Sequence, residues 1–290
     1  MKIVDAQVHI WANSTPERPW PPRHPAHRAQ DFSAAELLVE MDQAGVDAAI
    51  LVPPSWEGEY NDLVTQAVLA HPSRFAAMGV VAPAEAPALI ANWPFPPGVL
   101  GLRFAVHRPG LVEALTDGRM DRVWAAAEEH AVPLMVLLPN DMLFTLDAAA
   151  RKHPRLKLVV DHLGLVFAPP TDLTAAFRKV LALAQHPNIA LKATSLPLYA
   201  TGDAEGYPYR SMHSLVRDAV QAFGAQRVFW GTDVTRLPCS YRDAVRMVTE
   251  EMPFLSSTEK EWVMGRGICE WLNWTTSSNS GDGRRSANGA

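Results

Sequence analysis

The stretch that decides the fold is residues 146–161, which read LDAAARKHPRLKLVVD. A helix-like segment runs into His153-Pro154, and an apolar, strand-like run follows directly. Proline cannot continue a helix, because its ring fixes φ and it has no N–H to donate, so the chain reverses there. The same succession recurs in residues 67–81 and 181–193. We therefore expect repeated α/β units, in which the histidines of these dipeptides are structural residues at helix ends.

Similar apolar runs give eight strand candidates, at residues 3–9, 47–53, 75–82, 99–105, 132–138, 156–161, 189–193 and 227–231. Most are continuously apolar, which is typical of parallel strands buried on both faces. Helical segments are predicted between and after them, at residues 33–44, 61–70, 120–130, 142–152, 173–184, 212–223, 241–251 and 258–271. This alternation predicts an α/β fold, a (β/α)8 TIM barrel in a single domain over residues 1–274. The alternative is a doubly wound open sheet.

Composition narrows the class of protein. The formal net charge of -5 shows no basic surplus, which argues against a nucleic-acid partner. No apolar run reaches the roughly 18 residues of a membrane span, and the first residues lack a signal-peptide pattern. With only two cysteines, a cytoplasmic enzyme is expected, and its nine tryptophans leave room for a homo-oligomer contact. Residues 275–290, rich in Ser, Asn and Gly, predict a disordered C-terminal tail.

Polar residues end several of the apolar runs. The first run ends Asp5-Ala6-Gln7-Val8-His9, and the two-residue period of a strand puts residues 5, 7 and 9 on one side. Later runs end in His162 and Asp233. The C-terminal ends of barrel strands meet on one face, where active sites lie. Convergence of these side chains from three strands predicts a catalytic site.

Three motifs carry a family resemblance: DAQVHIW at residues 5–11, VDHLG at 160–164 and WGTD at 230–233. Together they resemble the amidohydrolase superfamily, and in particular its amidohydrolase-related branch of sugar-lactone and dicarboxylate lactonases. The resemblance covers roughly residues 1 to 275. It implies a TIM-barrel hydrolase in which His9, His162 and Asp233 gather around a metal or a substrate carbonyl. The expected substrate is a lactone or related cyclic ester, and less readily an amide.

Gln7 departs from the family pattern, which has the first histidine of a His-x-His pair at this position. An amide oxygen is a weak zinc ligand, whereas imidazole is a strong one. Strand four ends without Lys or Glu and strand five without His, which argues against a two-metal site. We therefore expect that no cofactor is required. The alternative is one divalent metal, such as zinc, held by His9, His162 and Asp233.

The hypothesis for the mechanism assigns a role to each strand-end residue. Asp233 acts as the general base on a water molecule. His9, His162 and the Gln7 amide donate hydrogen bonds to the carbonyl oxygen. The further candidates for substrate binding are basic residues at strand ends: Arg103, His107, Lys192 and Arg236. For Arg103 and Lys192 the alternative is an internal ion pair with Asp5 or Asp161.

Residues 11–31 form a long segment rich in Pro, Arg and His after the first strand, which places it on the catalytic face. Its basic character favours a small anionic or polar substrate. Its tryptophan Trp11, together with Trp20 and Trp56, predicts an apolar wall for a ring, with simple packing as the alternative.

Two other functions fit the same barrel. One is a carbon–carbon lyase that decarboxylates an aromatic or unsaturated acid; such chemistry in related proteins leans on a metal, which Gln7 disfavours. The other is a ligand-binding barrel without catalysis. Release of carbon dioxide, or inactivity on a panel of lactones and esters, would distinguish them.

Overall fold

The computed structural model describes residues 1–20, 26–93, 96–106, 108, 110–165, 173–200 and 205–275. Eight strands form one sheet in sequence order, and each is parallel to the next along the chain. They are β1 (Val4–Val8), β2 (Ala48–Leu51), β3 (Phe75–Gly79), β4 (Val99–Ala105), β5 (Leu134–Leu137), β6 (Leu158–Val160), β7 (Ile189–Thr194) and β8 (Val228–Gly231). Every predicted strand is confirmed, most of them with shorter ends.

The last strand returns to the first. Asp233 N–H donates to the Gln7 carbonyl oxygen at 2.8 Å, and Thr232 N–H donates to Asp5 Oδ1 at 2.9 Å. Gly231 makes this approach possible, because a Cβ there would lie 2.9 Å from Gln7 N and 2.8 Å from Asp5 Oδ1. The sheet therefore curls into a barrel, which confirms the predicted fold over the open-sheet alternative.

Helices cover the outside of the sheet. They are α1 (Ala34–Ala44), α2 (Asp62–Ala70), α3 (Ala86–Ala91), α4 (Leu111–Thr116), α5 (Arg119–Glu129), α6 (Leu143–Lys152), α7 (Leu173–Ala182), α8 (His213–Phe223), α9 (Tyr241–Thr249), α10 (Ser257–Glu261) and α11 (Gly267–Trp271). The sequence did not predict α3 and α4, because six residues are too few to show a helical period. Ser33 and Glu36 form the capping box that begins α1.

The end of the described chain closes the barrel opposite the catalytic face. The predicted helix at 258–271 is α10, a π-helical turn (Trp262–Arg266) and α11. Gly265 in that turn packs on β1, where a Cβ would lie 2.7 Å from the Lys2 carbonyl oxygen. Residues 276–290, and with them nearly all of the predicted tail, lie outside the described residues. Within the described residues, no helix is long and apolar enough to cross a membrane.

Candidate active site

An irregularity in β1 orients the first site residues. Its register against β2 shifts between Asp5 and Val8. Asp5 turns to the seam with β8, where the Tyr241 hydroxyl donates to its Oδ2 at 2.7 Å. Gln7 instead contacts Lys192 on β7, and His9 contacts Asp233 just after β8. The expectation that residues 5, 7 and 9 share one side is therefore wrong for Asp5, because a strand irregularity re-aims side chains.

His9 is a hydrogen-bond acceptor towards the site. Its Nδ1 lies 2.6 Å from the Val52 carbonyl oxygen, which can only accept, so Nδ1 carries the proton. Burial lowers the pKa of His9 to about 3, with the charge of Arg103 acting in the same direction. The ring is therefore neutral near pH 7, and Nε2 offers a lone pair. This differs from the sequence-based hypothesis, in which His9 donates to a carbonyl oxygen.

The Gln7 amide has a defined orientation. Lys192 Nζ lies 2.6 Å from Gln7 Oε1, and an ammonium can only donate. The amide nitrogen therefore faces His9, with 3.3 Å between Gln7 Nε2 and His9 Nε2. This contact agrees with the acceptor state of His9 that the Val52 bond requires.

Asp233 faces the same ring nitrogen from β8. Its Oδ1 lies 3.3 Å from His9 Nε2, and its Oδ2 lies 3.6 Å from an Arg236 nitrogen. The carboxylate is 2 % exposed, and among the described residues Oδ1 has no hydrogen-bond partner. Asp233 Oδ1 is thus a buried acceptor without a donor among these residues, beside His9 Nε2, whose lone pair faces the Gln7 amide at 3.3 Å.

A buried ion cluster lies beside this pair. Arg103 Nε donates to Asp161 Oδ2 at 2.6 Å, and Lys192 Nζ lies 2.7 Å from Asp161 Oδ1. Burial alone would raise the pKa of Asp161, but the charges of Lys192 and Arg103 hold it well below its ordinary value. The internal ion pair that the sequence left as an alternative for both cations is present. Their role in binding substrate stays a prediction.

His162 follows β6 and contacts the end of β7. Its Nδ1 lies 2.8 Å from Thr194 Oγ1 and 3.3 Å from Ser195 Oγ. Burial lowers its pKa to about 3, while the carboxylates of Asp161 and Asp233 oppose the shift. The ring is therefore neutral near pH 7, and the tautomer depends on which way the hydroxyls point.

The amidohydrolase family matches residues 4–266. The chain belongs to the amidohydrolase family. It is also similar to the L-fucono-1,5-lactonase of Burkholderia ambifaria, with 27 % identity over 254 residues, which cover 83 % of each protein.

Solved structures show the same fold for this amidohydrolase. An amidohydrolase from Burkholderia multivorans with bound zinc has a TM-score of 0.78 and 21 % identity, over 94 % of this chain and 99 % of that one. A probable 2-pyrone-4,6-dicarboxylic acid hydrolase from Acinetobacter baumannii with bound citric acid has a TM-score of 0.75 and 16 % identity, over 94 % of this chain and 100 % of that one. The 5-carboxyvanillate decarboxylase of Sphingomonas paucimobilis has a TM-score of 0.67 and 19 % identity, over 94 % of this chain and 99 % of that one.

Zinc in the first of these structures raises the question of a metal in this amidohydrolase. The 3.3 Å between His9 Nε2 and Asp233 Oδ1 suits two ligands of one zinc ion. A third ligand is missing: the described residues contain no group of three or more His, Cys, Asp or Glu side chains that could hold a metal. The set His9, His162 and Asp233 that the sequence suggested is therefore not assembled for a metal, and the donor set does not fit one.

The other predicted substrate contacts differ in position. Arg236 is 45 % exposed beside Asp233, and its role in binding substrate stays a prediction. Trp11 is 1 % exposed, and its Nε1 donates to the Gln30 carbonyl oxygen at 2.9 Å, which favours the packing interpretation. Trp56 is buried against Trp11, with 5.2 Å between ring centroids. His107 lies outside the described residues, so its role stays a prediction.

In the described part of residues 11–31, both arginines form ion pairs within the amidohydrolase itself. Arg18 donates to Glu57 at 2.6 Å and to Asp62 at 2.8 Å. Arg28 donates to Glu40 at 2.8 Å. These ion pairs weaken the argument from this segment to an anionic substrate.

Sequence reasoning gave no catalytic-site role to His27 and did not single out Tyr199. His27 Nδ1 lies 2.8 Å from Thr235 Oγ1, and its ring centroid lies 5.9 Å from that of His9. Burial lowers the pKa of His27 to about 3, and Asp233 opposes the shift. Tyr199 follows β7, and burial raises the pKa of its hydroxyl, with Arg236 opposing. The sequence signal that could have indicated Tyr199 is its position just after a strand. For His27 the signal is its position in the long segment of residues 11–31.

Proposed function

We propose that this amidohydrolase hydrolyses a lactone, with Asp233 as the general base for an attacking water. The observation that carries the proposal is the buried Asp233 Oδ1, which has no hydrogen-bond partner among the described residues and lies 3.3 Å from His9 Nε2. One water can donate one hydrogen to Asp233 Oδ1 and the other to His9 Nε2, in place of the 3.3 Å contact with the Gln7 amide, and keep a lone pair free for attack. His9 then orients the water, whereas the sequence-based hypothesis made it a donor to the carbonyl.

The reaction follows from this arrangement. Asp233 takes one proton from the water as its oxygen bonds to the carbonyl carbon, and the carbonyl electrons move to the oxygen. When they return, the ring carbon–oxygen bond breaks and the ring oxygen takes the proton from Asp233. The product is a hydroxy acid, and Asp233 returns to its starting state.

His162 supplies the hydrogen bond to the carbonyl oxygen in this proposal. In this proposal the Thr194 hydroxyl, 2.8 Å from Nδ1, is the donor to that nitrogen, and the ring proton is on Nε2. A neutral imidazole N–H aimed at the developing oxyanion is worth about 3–4 kcal/mol of barrier lowering. Gln7 has a second amide hydrogen for the same oxygen, since one faces His9.

Relatives support a cyclic ester as the substrate. The Burkholderia ambifaria relative is an L-fucono-1,5-lactonase, and the Acinetobacter baumannii structure is named as a pyrone dicarboxylate hydrolase. Both names describe opening of a ring ester. In this proposal the half-exposed guanidinium of Arg236, 3.6 Å from Asp233, binds a hydroxyl or carboxylate of the ring.

The test is proton release from a panel of sugar 1,5- and 1,4-lactones and pyrone carboxylates. Asp233→Asn should lower kcat/KM at least about 100-fold, because general bases contribute 10² to 10⁴. The matched control is Asp218→Asn, at a half-exposed carboxylate on α8, which should leave activity unchanged. An Asp233→Asn variant within about tenfold of wild type contradicts the base assignment. Release of carbon dioxide from aromatic acids, without lactone opening, contradicts the proposed reaction.

A further inference from the structure

We propose that Lys192 excludes a divalent metal from the site and, by orienting Gln7, keeps an amide N–H rather than an oxygen against the lone pair of His9. Lys192 is then a positioning residue. The part that concerns His9 rests on the proposed lactone hydrolysis, whereas the part that concerns metal does not.

The contacts of Lys192 fix the amide of Gln7. The ammonium is fully buried, 2.6 Å from Gln7 Oε1 and 2.7 Å from Asp161 Oδ1. Turning the amide over would place its NH2 group against the ammonium and its oxygen against the lone pair of His9. Both contacts would be repulsive, because the first would place two donors together and the second would place two acceptors together. The oxygen of Gln7 therefore stays on Lys192.

A zinc ion bound by His9 Nε2 and Asp233 Oδ1 needs at least one more protein ligand. Gln7 stands two residues before His9 on β1, and its oxygen is its only atom that could bind a metal. Lys192 already holds that oxygen, so the amide presents hydrogen atoms to the place where the ion would sit. The ammonium thus removes the third ligand.

Charge acts in the same direction. Burial lowers the pKa of Lys192, and the carboxylates of Asp161 and Asp233 oppose the shift. With Lys192 charged, it and Arg103 carry two positive charges against the one negative charge of Asp161, and all three side chains are at most 3 % exposed. In surroundings that screen charge poorly, this cluster opposes part of the attraction that the Asp233 carboxylate exerts on a divalent cation.

The experiment measures zinc binding by dialysis and elemental analysis for wild type, Lys192→Met and the Gln7→His/Lys192→Met double variant. Wild type should retain almost no zinc, and the double variant, with a third ligand and no ammonium, about one zinc per chain. Lys192→Met alone should bind zinc more tightly than wild type. Lys157→Met is the matched control, because Lys157 donates to the Trp271 carbonyl oxygen at the opposite end of the barrel. It should behave as wild type.

A second readout follows His9 itself. The histidine ¹⁵N NMR spectrum of wild type should show His9 as the Nδ1–H tautomer between about pH 5 and 8. Lys192→Met should change the Nε2 signal, because the Gln7 amide is then free to turn. The Lys157→Met spectrum should match that of wild type.

About one tightly held zinc per wild-type chain, with loss of activity on chelation, overturns the proposal. A folded double variant that binds no zinc also overturns it. If the double variant does not fold, a zinc affinity of Lys192→Met equal to that of wild type contradicts the proposal. Failure of wild type to open any lactone contradicts the proposed function instead, because the zinc measurements need no substrate.

Discussion

The Nδ1 atom of His9 lies 2.6 Å from the carbonyl oxygen of Val52, and this bond decides which ring nitrogen faces Asp233. Val52 directly follows β2, the neighbour of β1 in the sheet. The tautomer of a site histidine is therefore set by the backbone of the adjacent strand. Nε2 is left without a proton, 3.3 Å from Asp233 Oδ1.

Two substitutions of His9 separate its two nitrogens. His9→Asn keeps a donor for the Val52 carbonyl oxygen and removes the acceptor that faces Asp233. His9→Gln extends to the position of Nε2 and gives up the bond to Val52. We expect kcat to fall about 100-fold in His9→Asn and about tenfold in His9→Gln, with KM nearly unchanged. Steady-state kinetics on an active lactone measure this, with thermal unfolding as the control for folding. Equal losses in both variants would argue against a role for Nε2.

The pH dependence of activity should lack a histidine step. Burial lowers the pKa values of His9 and His162 from 6.5 to about 3. Since a lowered pKa keeps the neutral ring as the pH falls, both rings stay neutral until about pH 3. We expect kcat/KM to show no inflection from either histidine between about pH 5 and 7.5. An inflection near the ordinary histidine pKa that disappears in His9→Gln would contradict this expectation.

Asp161 should matter more for stability than its single charge suggests. Asp161→Asn leaves Arg103 and Lys192 buried without their anion. We expect a loss of about 3–5 kcal/mol in the free energy of unfolding, measured by urea denaturation. Adding Lys192→Met should restore part of this loss, because it removes one of the two stranded cations. A double variant less stable than Asp161→Asn would show that the charge balance is not the cause.

Asp5 should make stability depend on pH in the opposite sense to most carboxylates. Burial raises its pKa from 3.8 to about 6, although hydrogen bonds from Thr232, Gln7 and Tyr241 oppose the shift. The folded state then binds the proton more tightly than the unfolded chain. The contribution of this proton binding to the free energy of unfolding is full below pH 3.8 and is lost as the pH rises through about 6.

The size of this effect is about 3 kcal/mol, from 1.36 kcal/mol per pKa unit. Urea unfolding of wild type and Asp5→Asn at several pH values measures it. The stability of wild type relative to the variant should fall by most of that amount between about pH 4 and 7.5. If the stability difference between wild type and Asp5→Asn does not change with pH, the pKa of Asp5 is not raised in the folded state.

Much of the fold was predictable from the sequence, because strands that are buried on both faces require continuous runs of apolar residues. Continuous apolar runs marked all eight strands, and their polar ends marked His9, His162 and Asp233. The short helices α3 and α4 have too few residues to show a helical period of apolar positions. Backbone elements of ordinary length were therefore predictable one by one.

Roles within the site were less predictable, because they depend on partners distant in sequence. Lys192 holds the amide of Gln7 across 185 positions. Val52 sets the tautomer of His9 from a neighbouring strand, which turned an expected donor into an acceptor. His27 reaches Thr235 only through the path of residues 11–31. No local pattern encodes these contacts.

The seam between β1 and β8 also has a consequence for synthesis of the protein. β1 carries Gln7 and leads into His9, β8 leads into Asp233, and the bond between the Asp233 N–H and the Gln7 carbonyl joins the two ends. During translation the first strand must wait for more than two hundred later residues before its partner leaves the ribosome. A nascent chain that stops before β8 therefore presents an unpaired edge of β1 and lacks Asp233, the proposed general base, and such an edge is prone to pair with other chains.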